Sequence, residues 1–365
     1  MDFKKIKKPT LILDESKCRA NIRMMAAKAR SSGAIFRPHF KTHQTIEIGE
    51  WFREEGVNSI TVSSVTMAKH FAGAGWKDIT IAFPLNLREI DDAEKLTESI
   101  NLNILITSFE QALFLRKRPK LKAGYFIEIN TGYNRSGLDW DDHVQIMRIK
   151  DEIDHNASLR FIGFLTHSGH SYRADSIDYI TNLYKDTLAK CTSLRALSPD
   201  KILLSAGDTP SCTLIENYKG FDEVRPGNFV FYDLSLKFLG VCSFEQLALT
   251  VACPVVEKNM KRKEIIVYGG GVHLSKESLK TSEGQIIFGK AVVYNETGWL
   301  SLSDKDYLRM LAQEHGIISS SEELFNSVKT GDIIGIIPVH AKWPADLLRV
   351  YHTFNNKILS GFSPK

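Results

Sequence analysis

The stretch NILITSFEQALFLRKRPKLKAGYFIEI (residues 103–129) contains one complete unit of the pattern that decides the fold. Its two ends are apolar runs rich in β-branched and aromatic residues, and its middle has the spacing of an amphipathic helix. Strand, helix and strand in this order predict two parallel strands that are joined by a crossover helix.

The same alternation fills the first two thirds of the chain. Other strand-like runs are TLILD (10–14), IFRPHF (35–40), SITVSS (59–64), DITIAF (78–83), RFIGFLTH (160–167), KILLSAG (201–207) and DEVRPGNFVFYD (222–233). Helices are predicted at 15–32, 44–56, 66–75, 87–99, 108–117, 141–155 and 176–197. About eight such units without a reversal in mid-chain favour a closed (β/α)8 TIM barrel over an open doubly wound sheet.

After about residue 235 the pattern changes to strands with little helix between them. Examples are LALTVACPVVEKN (247–259), KEIIVYGGG (263–271) and GDIIGIIPVH (331–340). The sequence therefore predicts an α/β protein of two domains, a barrel at residues 1–235 and a C-terminal, mostly β domain at residues 236–365.

The composition is that of a globular protein, since 43% apolar and 25% charged residues exclude a disordered or fibrous chain. The net charge is only +4, and no long basic block indicates nucleic acid as a partner. The five cysteines form no CxxC pair, which is typical of a reducing compartment. Because no signal peptide or membrane-spanning stretch is visible, we expect a cytoplasmic protein that binds no membrane.

The segment RPHFKTHQ (37–44) places His39, Lys41 and His43 at alternate positions. Alternate side chains of an extended strand face the same side, so all three would point into the barrel mouth. A buried lysine beside imidazoles would lose its charge, and a neutral amine forms Schiff bases. A surface lysine at a strand end, flanked by polar histidines, is the alternative that the pattern leaves open.

Further polar residues follow other predicted strands, at the end where a barrel carries its active site. Arg135 lies in the glycine-containing segment EINTGYNRSGL (128–138) and would hold an anionic oxygen or form an ordinary salt bridge. His167 and His170 follow another strand, where they would stack on a flat ligand or bind a metal.

Two late segments, SAGDTPS (205–211) and VRPGNF (224–229), lie where TIM barrels commonly bind phosphate. Gly207, Asp208 and Thr209 precede a predicted short helix, as in a phosphate cradle, although a simple turn has the same composition. An inward lysine, a barrel and a late phosphate cradle together point to pyridoxal 5'-phosphate (PLP).

On these motifs the chain resembles the fold-type III PLP enzymes of the alanine racemase superfamily. Within it, the similarity is to the D-threonine aldolase and D-serine dehydratase-like group, and it extends from PTLILD at residue 9 to IIPVH near residue 340. The resemblance implies a PLP-dependent lyase that acts on a D-amino acid, of the D-threonine aldolase type. An amino-acid racemase, a D-serine dehydratase and a PLP-binding protein without turnover are the alternatives.

The resemblance also implies a homodimer, in which the β domain of one chain closes the barrel mouth of the other. It assigns a role to each matching residue of the motifs. Lys41 would bind the cofactor covalently, Arg135 would contact its phenolic oxygen, and His167 would lie beside its pyridine ring. Arg225 would face the pyridine nitrogen. The phosphate would be bound by Gly207, Asp208, Thr209, Gly227 and Asn228.

One departure from the resemblance concerns a metal. Lyases of this group usually carry a His-x-Cys or His-x-Asp pair near the C-terminus, and this pair binds a divalent metal. Here the segment is PVHAKWPADL (338–347), with His340 present and Lys342 in the second position. An ammonium group has no lone pair for a metal. A divalent metal at His340 therefore stays an open prediction, and Lys342 becomes a candidate catalytic group in its place.

Overall fold

The computed structural model describes residues 1–198 and 201–363. Up to residue 224 the chain alternates strands and helices. The strands are β1 (Thr10–Leu13), β2 (Ile35–Phe36), β3 (Ser59–Val62), β4 (Asp78–Pro84), β5 (Asn101–Ile106), β6 (Ala123–Asn130), β7 (Leu138–Asp139), β8 (Leu159–Thr166), β9 (Leu203–Ala206) and β10 (Glu223–Val224). The helices are α1 (Glu15–Ser31), α2 (Ile46–Glu54), α3 (Val65–Gly73), α4 (Ile90–Leu96), α5 (Phe109–Arg116), α6 (His143–Asp154), α7 (Ile177–Ser193) and α8 (Thr209–Leu214). Every predicted helix is present within a few residues of its predicted limits.

The strands β2 to β10 form one parallel sheet. Their order is β2-β10-β9-β8-β6-β5-β4-β3, with β7 beside β6. The two end strands nearly meet, because His39, just past β2, forms a parallel bridge with Thr61 of β3. The sheet is thus a nearly closed eight-stranded barrel, and the prediction of a TIM barrel is confirmed. It lies in a compact unit of residues 23–41 and 49–227.

The remaining strands build a second unit of residues 1–22, 42–48 and 228–363. They are β11 (Leu249–Asn259), β12 (Glu264–Tyr268), β13 (Leu279–Lys280), β14 (Ile286–Ile287), β15 (Gly289–Tyr294), β16 (Trp299–Leu300), β17 (Tyr307–Leu311), β18 (His315–Ser319), β19 (Ile333–Pro338), β20 (Val350–Thr353) and β21 (Ile358–Ser360). Short helices connect some of them, α9 (Leu234–Phe238), α10 (Gly271–Leu274), α11 (Glu322–Ser327) and α12 (Lys342–Leu348). The prediction of a mostly β C-terminal part is confirmed. No helix in the described part of the chain combines the length and apolarity that a membrane span requires.

The main sheet of this second unit has the order β12-β18-β17-β15-β19-β11-β1-β20-β21. All of its pairs are antiparallel except β1 with β20. Because β12 also pairs with β11, the six strands from β12 to β11 in this order form a closed ring. The strand β1 extends this sheet.

The position of β1 differs from the prediction, which counted TLILD as the first strand of the barrel series. Leu11 pairs with Val251 of β11 on one side and with Tyr351 of β20 on the other. Leu11, Ile12 and Leu13 are all fully buried. A short apolar run is compatible with either sheet, so its pattern does not decide which one it joins. The domain division at residue 235 stays a prediction.

A buried ion-pair network crosses the place where the barrel sheet closes. Glu223 of β10 accepts hydrogen bonds from Arg37 Nε and from Ser205 Oγ of β9, both at 2.6 Å. Arg37 also donates to the two carboxylate oxygens of Asp78 in β4, at 2.6 and 3.1 Å. The network therefore ties the segment after β2 to strands on both sides of the closure.

Removal of the Arg37 charge tests this network. The variant Arg37→Met leaves Glu223 buried without its cation, so we expect the free energy of unfolding to fall by about 3–5 kcal/mol. Urea unfolding followed by circular dichroism measures the loss. Arg116, half-exposed and 2.9 Å from Glu152, is the matched control. Its replacement by Met should cost less than about 1 kcal/mol, and equal losses in both variants would contradict the assignment.

Candidate active site

The segment that carries Lys41 leaves the barrel directly after β2, because residues 40–43 form a turn. The expectation that His39, Lys41 and His43 alternate along one extended strand is therefore wrong. Phe40 is fully buried in a cluster of aromatic rings, which holds the chain in the turn. Lys41 itself is exposed at this point of the barrel unit.

His39 lies buried beside this turn. Its Nδ1 accepts a hydrogen bond from the backbone N–H of Lys41 at 3.4 Å, so a neutral ring carries its proton on Nε2. Nε2 is buried and has no hydrogen-bond partner among the described residues. Burial, followed by the charges of Lys41 and Arg225, holds the pKa of His39 well below its usual value. His39 is thus a neutral imidazole with an unused N–H group. The sequence analysis noted it only as a neighbour of Lys41 and gave it no role of its own.

His167, just past the end of β8, is neutral for the same reasons. Burial comes first and the charges of Lys41 and Arg135 follow, and together they lower its pKa to about 3. Its Nδ1 donates a hydrogen bond to the carbonyl oxygen of Gly207 at 2.7 Å, which leaves a lone pair on Nε2. A flat, uncharged ring in a fixed orientation suits the predicted place beside an aromatic cofactor.

Arg135 lies in the loop after β6 with its side chain half-exposed and 3.8 Å from Oε1 of Glu128. Glu128, near the end of β6, is buried and accepts a hydrogen bond from Ser136 Oγ at 3.0 Å. Its Oε2 has no partner in the described residues, and burial raises the pKa of the carboxyl. Sequence reasoning missed Glu128 as a site residue. The available signal was its position at the carboxyl end of a barrel strand.

The connection from β9 to α8 contains the predicted phosphate cradle. A Cβ at Gly207 would lie only 2.6 Å from the backbone nitrogen of Arg225, so the two backbones approach as closely as glycine allows. Thr209 Oγ1 is buried and has no hydrogen-bond partner among the described residues. The backbone N–H of Thr209 donates to the hydroxyl of Tyr172 at 3.3 Å, and sequence reasoning did not single out this tyrosine.

The side chain of Asp208 is occupied by hydrogen bonds to its neighbours. Its Oδ1 accepts hydrogen bonds from the backbone N–H of Ser211 at 2.8 Å and from Ser171 Oγ at 2.7 Å. The carboxylate therefore caps α8, and a negative charge there would repel a phosphate. A role of Asp208 at the phosphate is restricted to its backbone.

Arg225 follows β10 and is buried. It donates from Nε to Ser205 Oγ at 2.6 Å and from a terminal nitrogen to the carbonyl of Thr166 at 2.6 Å. Burial lowers its pKa to about 10, although the charges of Glu223 and Glu128 oppose this shift. Arg225 is still a cation at neutral pH, and it is held by its neighbours in one orientation.

These residues fit PLP. Lys41, Arg135 and Arg225 all act electrostatically on the two neutral imidazoles, so the barrel unit gathers three cations beside uncharged rings. Three positive groups, the unused hydroxyl of Thr209 and the tight glycine suit a phosphate that is joined to an aldehyde-bearing ring. The amine of Lys41 is the group that would bind the aldehyde.

The segment with the predicted metal ligand lies in the second unit. Nδ1 of His340 is 3.0 Å from Ser235 Oγ and 3.7 Å from Asp233 Oδ2, and its Nε2 is 3.8 Å from Glu277 Oε2. Asn228 donates from its side chain to Asp233 at 2.6 Å, whereas the phosphate contact predicted for this residue is one of its backbone amide and stays a prediction. Burial alone would raise the pKa of Asp233, but the nearby His340 ring and the hydrogen bonds from Ser235 and Asn228 hold the pKa below its usual range.

The structure and its polar residues define a class, the alanine racemase type of barrel with a C-terminal β domain. Residues 13–235 match the family described as alanine racemase, N-terminal domain, and residues 248–354 match the putative serine dehydratase domain. The chain therefore belongs to the alanine racemase N-terminal domain family, within the group that carries a serine dehydratase domain.

Curated relatives are similar over nearly the whole chain. The D-serine dehydratase of Dictyostelium discoideum is 31% identical, covering 100% of this chain and 98% of the relative. The D-threo-3-hydroxyaspartate dehydratase of Delftia sp. (strain HT23) is 28% identical, covering 91% of this chain and 90% of the relative. The D-threonine aldolase of Arthrobacter sp. is 20% identical, covering 91% of this chain and 85% of the relative.

The Delftia dehydratase also has solved structures with this fold. One is a cysteine-to-alanine variant in the metal-free form, with a TM-score of 0.90 and 25% identity, covering 100% of this chain and 99% of that one. The relatives are dehydratases and an aldolase, which are lyases. The predicted group is confirmed. Of the three curated relatives named above, the two with the higher sequence identity to this chain are dehydratases.

The role of Lys41 is tested by reconstitution with PLP. We expect the wild-type protein to develop a visible absorption band that borohydride reduces to a stable adduct, since a lysine amine and the aldehyde form a reducible bond. The variant Lys41→Ala should form no such adduct. Lys69→Ala, which removes an exposed lysine of α3, is the control and should behave as wild type. Adduct formation in Lys41→Ala would refute the assignment.

The neutral state of His167 predicts a pH dependence. The ring titrates at about 3 in the folded protein but near its ordinary value of 6.5 when unfolded, so the unfolded state binds the extra proton between these values. Stability is therefore lost as the pH falls below 6.5. The variant His167→Asn keeps a donor for Gly207 and should lose less stability between about pH 7 and about pH 5.

Urea unfolding at the two pH values measures this difference, and the exposed His155→Asn variant is its control. A His167→Asn variant with the same pH dependence as wild type would show that the ring is not neutral in the folded state.

Proposed function

We propose that the protein is a PLP-dependent dehydratase of D-β-hydroxy amino acids, with D-serine and D-threo-3-hydroxyaspartate as the substrates to test first. The reaction removes water across Cα and Cβ, and the product hydrolyses to a 2-keto acid and ammonia. The observation that carries the proposal is the similarity, over the whole chain, to a D-serine dehydratase. The cation and imidazole cluster around Lys41 supports it.

When bound, PLP withdraws electrons from Cα of an amino acid and so weakens the bonds at that atom. Lys41 would hold the aldehyde carbon, Arg135 the phenolic oxygen, and the turn at Gly207 and Thr209 the phosphate. Arg225, a fixed cation, would donate a hydrogen bond to the pyridine nitrogen. A cation at that place disfavours protonation of the pyridine.

The remaining residues set the protonation states around Lys41. His39 and His167 are neutral, so neither ring adds a positive charge beside Lys41. The amine of Lys41, when it is not bound to the cofactor, would be the base that takes the proton from Cα of the substrate. Glu128 lies 3.8 Å from Arg135, and its carboxylate would balance part of the guanidinium charge.

The experiment is a substrate panel with the PLP-loaded protein. D-serine, D-threo-3-hydroxyaspartate, D-threonine and D-alanine are each incubated with the wild type, with Lys41→Ala and with the control Lys69→Ala. We expect equal amounts of keto acid and ammonia from one or both of the first two substrates, and no turnover by Lys41→Ala. The L-enantiomers should be inert.

Three other outcomes would contradict the proposal. Glycine and an aldehyde from D-threonine would indicate the aldolase that the sequence analysis preferred. L-alanine from D-alanine would indicate a racemase. A protein that binds PLP but converts none of the four compounds would fit a PLP-binding protein without turnover.

We also propose that the protein is a cytoplasmic homodimer. Support comes from the resemblance to enzymes that pair and from the five cysteines, all free in the structure. Light scattering coupled to gel filtration should give twice the 41.2 kDa chain mass.

A further inference from the structure

The end of β19 carries a histidine whose two ring nitrogens both face acidic residues. Nδ1 of His340 lies 3.0 Å from Ser235 Oγ and 3.7 Å from Asp233 Oδ2, while Nε2 lies 3.8 Å from Glu277 Oε2. A carboxylate behind one nitrogen of an imidazole is the usual support of a metal-binding histidine. The arrangement at Nδ1 alone would therefore agree with a metal at Nε2.

The donor atoms around Nε2 do not complete a metal site. Zinc sites in proteins usually have three or four protein ligands with lone pairs, such as imidazole, thiolate or carboxylate. Glu277 is the acidic group that faces Nε2, and the residue two positions after His340 is Lys342. Within residues 1–198 and 201–363, no group of three or more His, Cys, Asp or Glu residues is placed to hold a metal.

A backbone hydrogen bond fixes the start of α12, whose first residue is Lys342. Asp233 accepts a hydrogen bond from the backbone N–H of Ala341 at 3.2 Å, besides its contact with His340. Lys342 is then the first residue of α12, and it is half-buried with its Nζ 5.4 Å from the ring centre of Trp343. The residue in the expected second ligand position is therefore a lysine at the start of α12, where the backbone position is fixed.

The charges near His340 explain how a lysine can stand where a metal ligand is expected. Asp233 and Glu277 place two carboxylates at His340, and such a pair favours a positive partner. An ammonium group and a divalent ion compete for this task, because each repels the other and the ammonium has no lone pair to offer. We propose that the lyase reaction of this chain is independent of a divalent metal, and that Lys342 supplies the positive charge at this position. The part of this inference that concerns catalytic activity rests on the proposed function, whereas the part that concerns metal binding does not.

The first test is elemental analysis of the PLP-loaded wild-type protein, produced in medium with added zinc and manganese. We expect no stoichiometric metal after dialysis, and we expect dehydration to be unaffected by a strong chelator. One equivalent of metal per chain, or activity that a chelator abolishes and zinc or manganese restores, would overturn the inference.

The second test restores the ligand pair. The variant Lys342→Cys creates a His-x-Cys pair and should take up about one zinc ion per chain, with a higher Tm in the presence of zinc. Lys305→Cys adds a thiol at an exposed lysine of the same unit and should take up none. If Lys342→Cys does not fold, Lys342→Asp offers a carboxylate at the same position. A folded variant with either ligand that binds no metal would overturn the assignment to Lys342.

The third test separates the charge of Lys342 from its packing. Lys342→Arg keeps a positive charge without creating a metal ligand, whereas Lys342→Met keeps only the aliphatic stem. We expect kcat to fall strongly in Lys342→Met and to be largely retained in Lys342→Arg, with neither variant binding metal. Equal kcat values for the wild type and Lys342→Met would overturn the role given to the charge. Because metal content is measured without turnover, an inactive but metal-free protein would refute the proposed function and leave the metal prediction standing.

Discussion

The carboxylate of Glu223 is the group on which both the barrel closure and the candidate site depend. It holds Arg37 directly and holds Ser205 through a hydroxyl, and Arg225 donates to that same hydroxyl. Hydrogen bonds therefore run without interruption from Asp78 across the closure to Arg225. A charge that is buried this deeply requires its partners, so the strands, the turn that follows Arg37 and the cation at the site are positioned together.

The same burial sets the chemistry of the barrel unit. Desolvation is the first cause of the low pKa of His39 and of His167, and the nearby cations act in the same direction. The result is a region where fixed positive charges meet neutral, oriented rings, while the acidic groups are engaged as caps or as ion-pair partners. Such a region favours an anionic, aromatic ligand before any ligand is bound.

The second unit contains the departure from the resemblance that concerns a metal. His340 keeps the carboxylate support that a metal-binding histidine has, but the residue two positions further is a lysine. A metal ion and an ammonium group both supply positive charge, although only the metal demands a set of ligands with lone pairs. One substitution at Lys342 therefore has more chemical consequence than most substitutions in the surrounding sheet.

The sequence by itself determined the barrel and the β-rich C-terminal part, because strand and helix periods are local signals. Its motifs and their resemblance to a family also selected Lys41, Arg135, His167 and Arg225 as candidate site residues. Only the tertiary structure decided that β1 joins the second sheet, that Asp208 caps a helix, and that His39 and Glu128 are buried with unused polar atoms. These facts depend on contacts between residues far apart in the chain. A short apolar run is buried equally well in either sheet, and a carboxylate or imidazole has no fixed role until its neighbours are known.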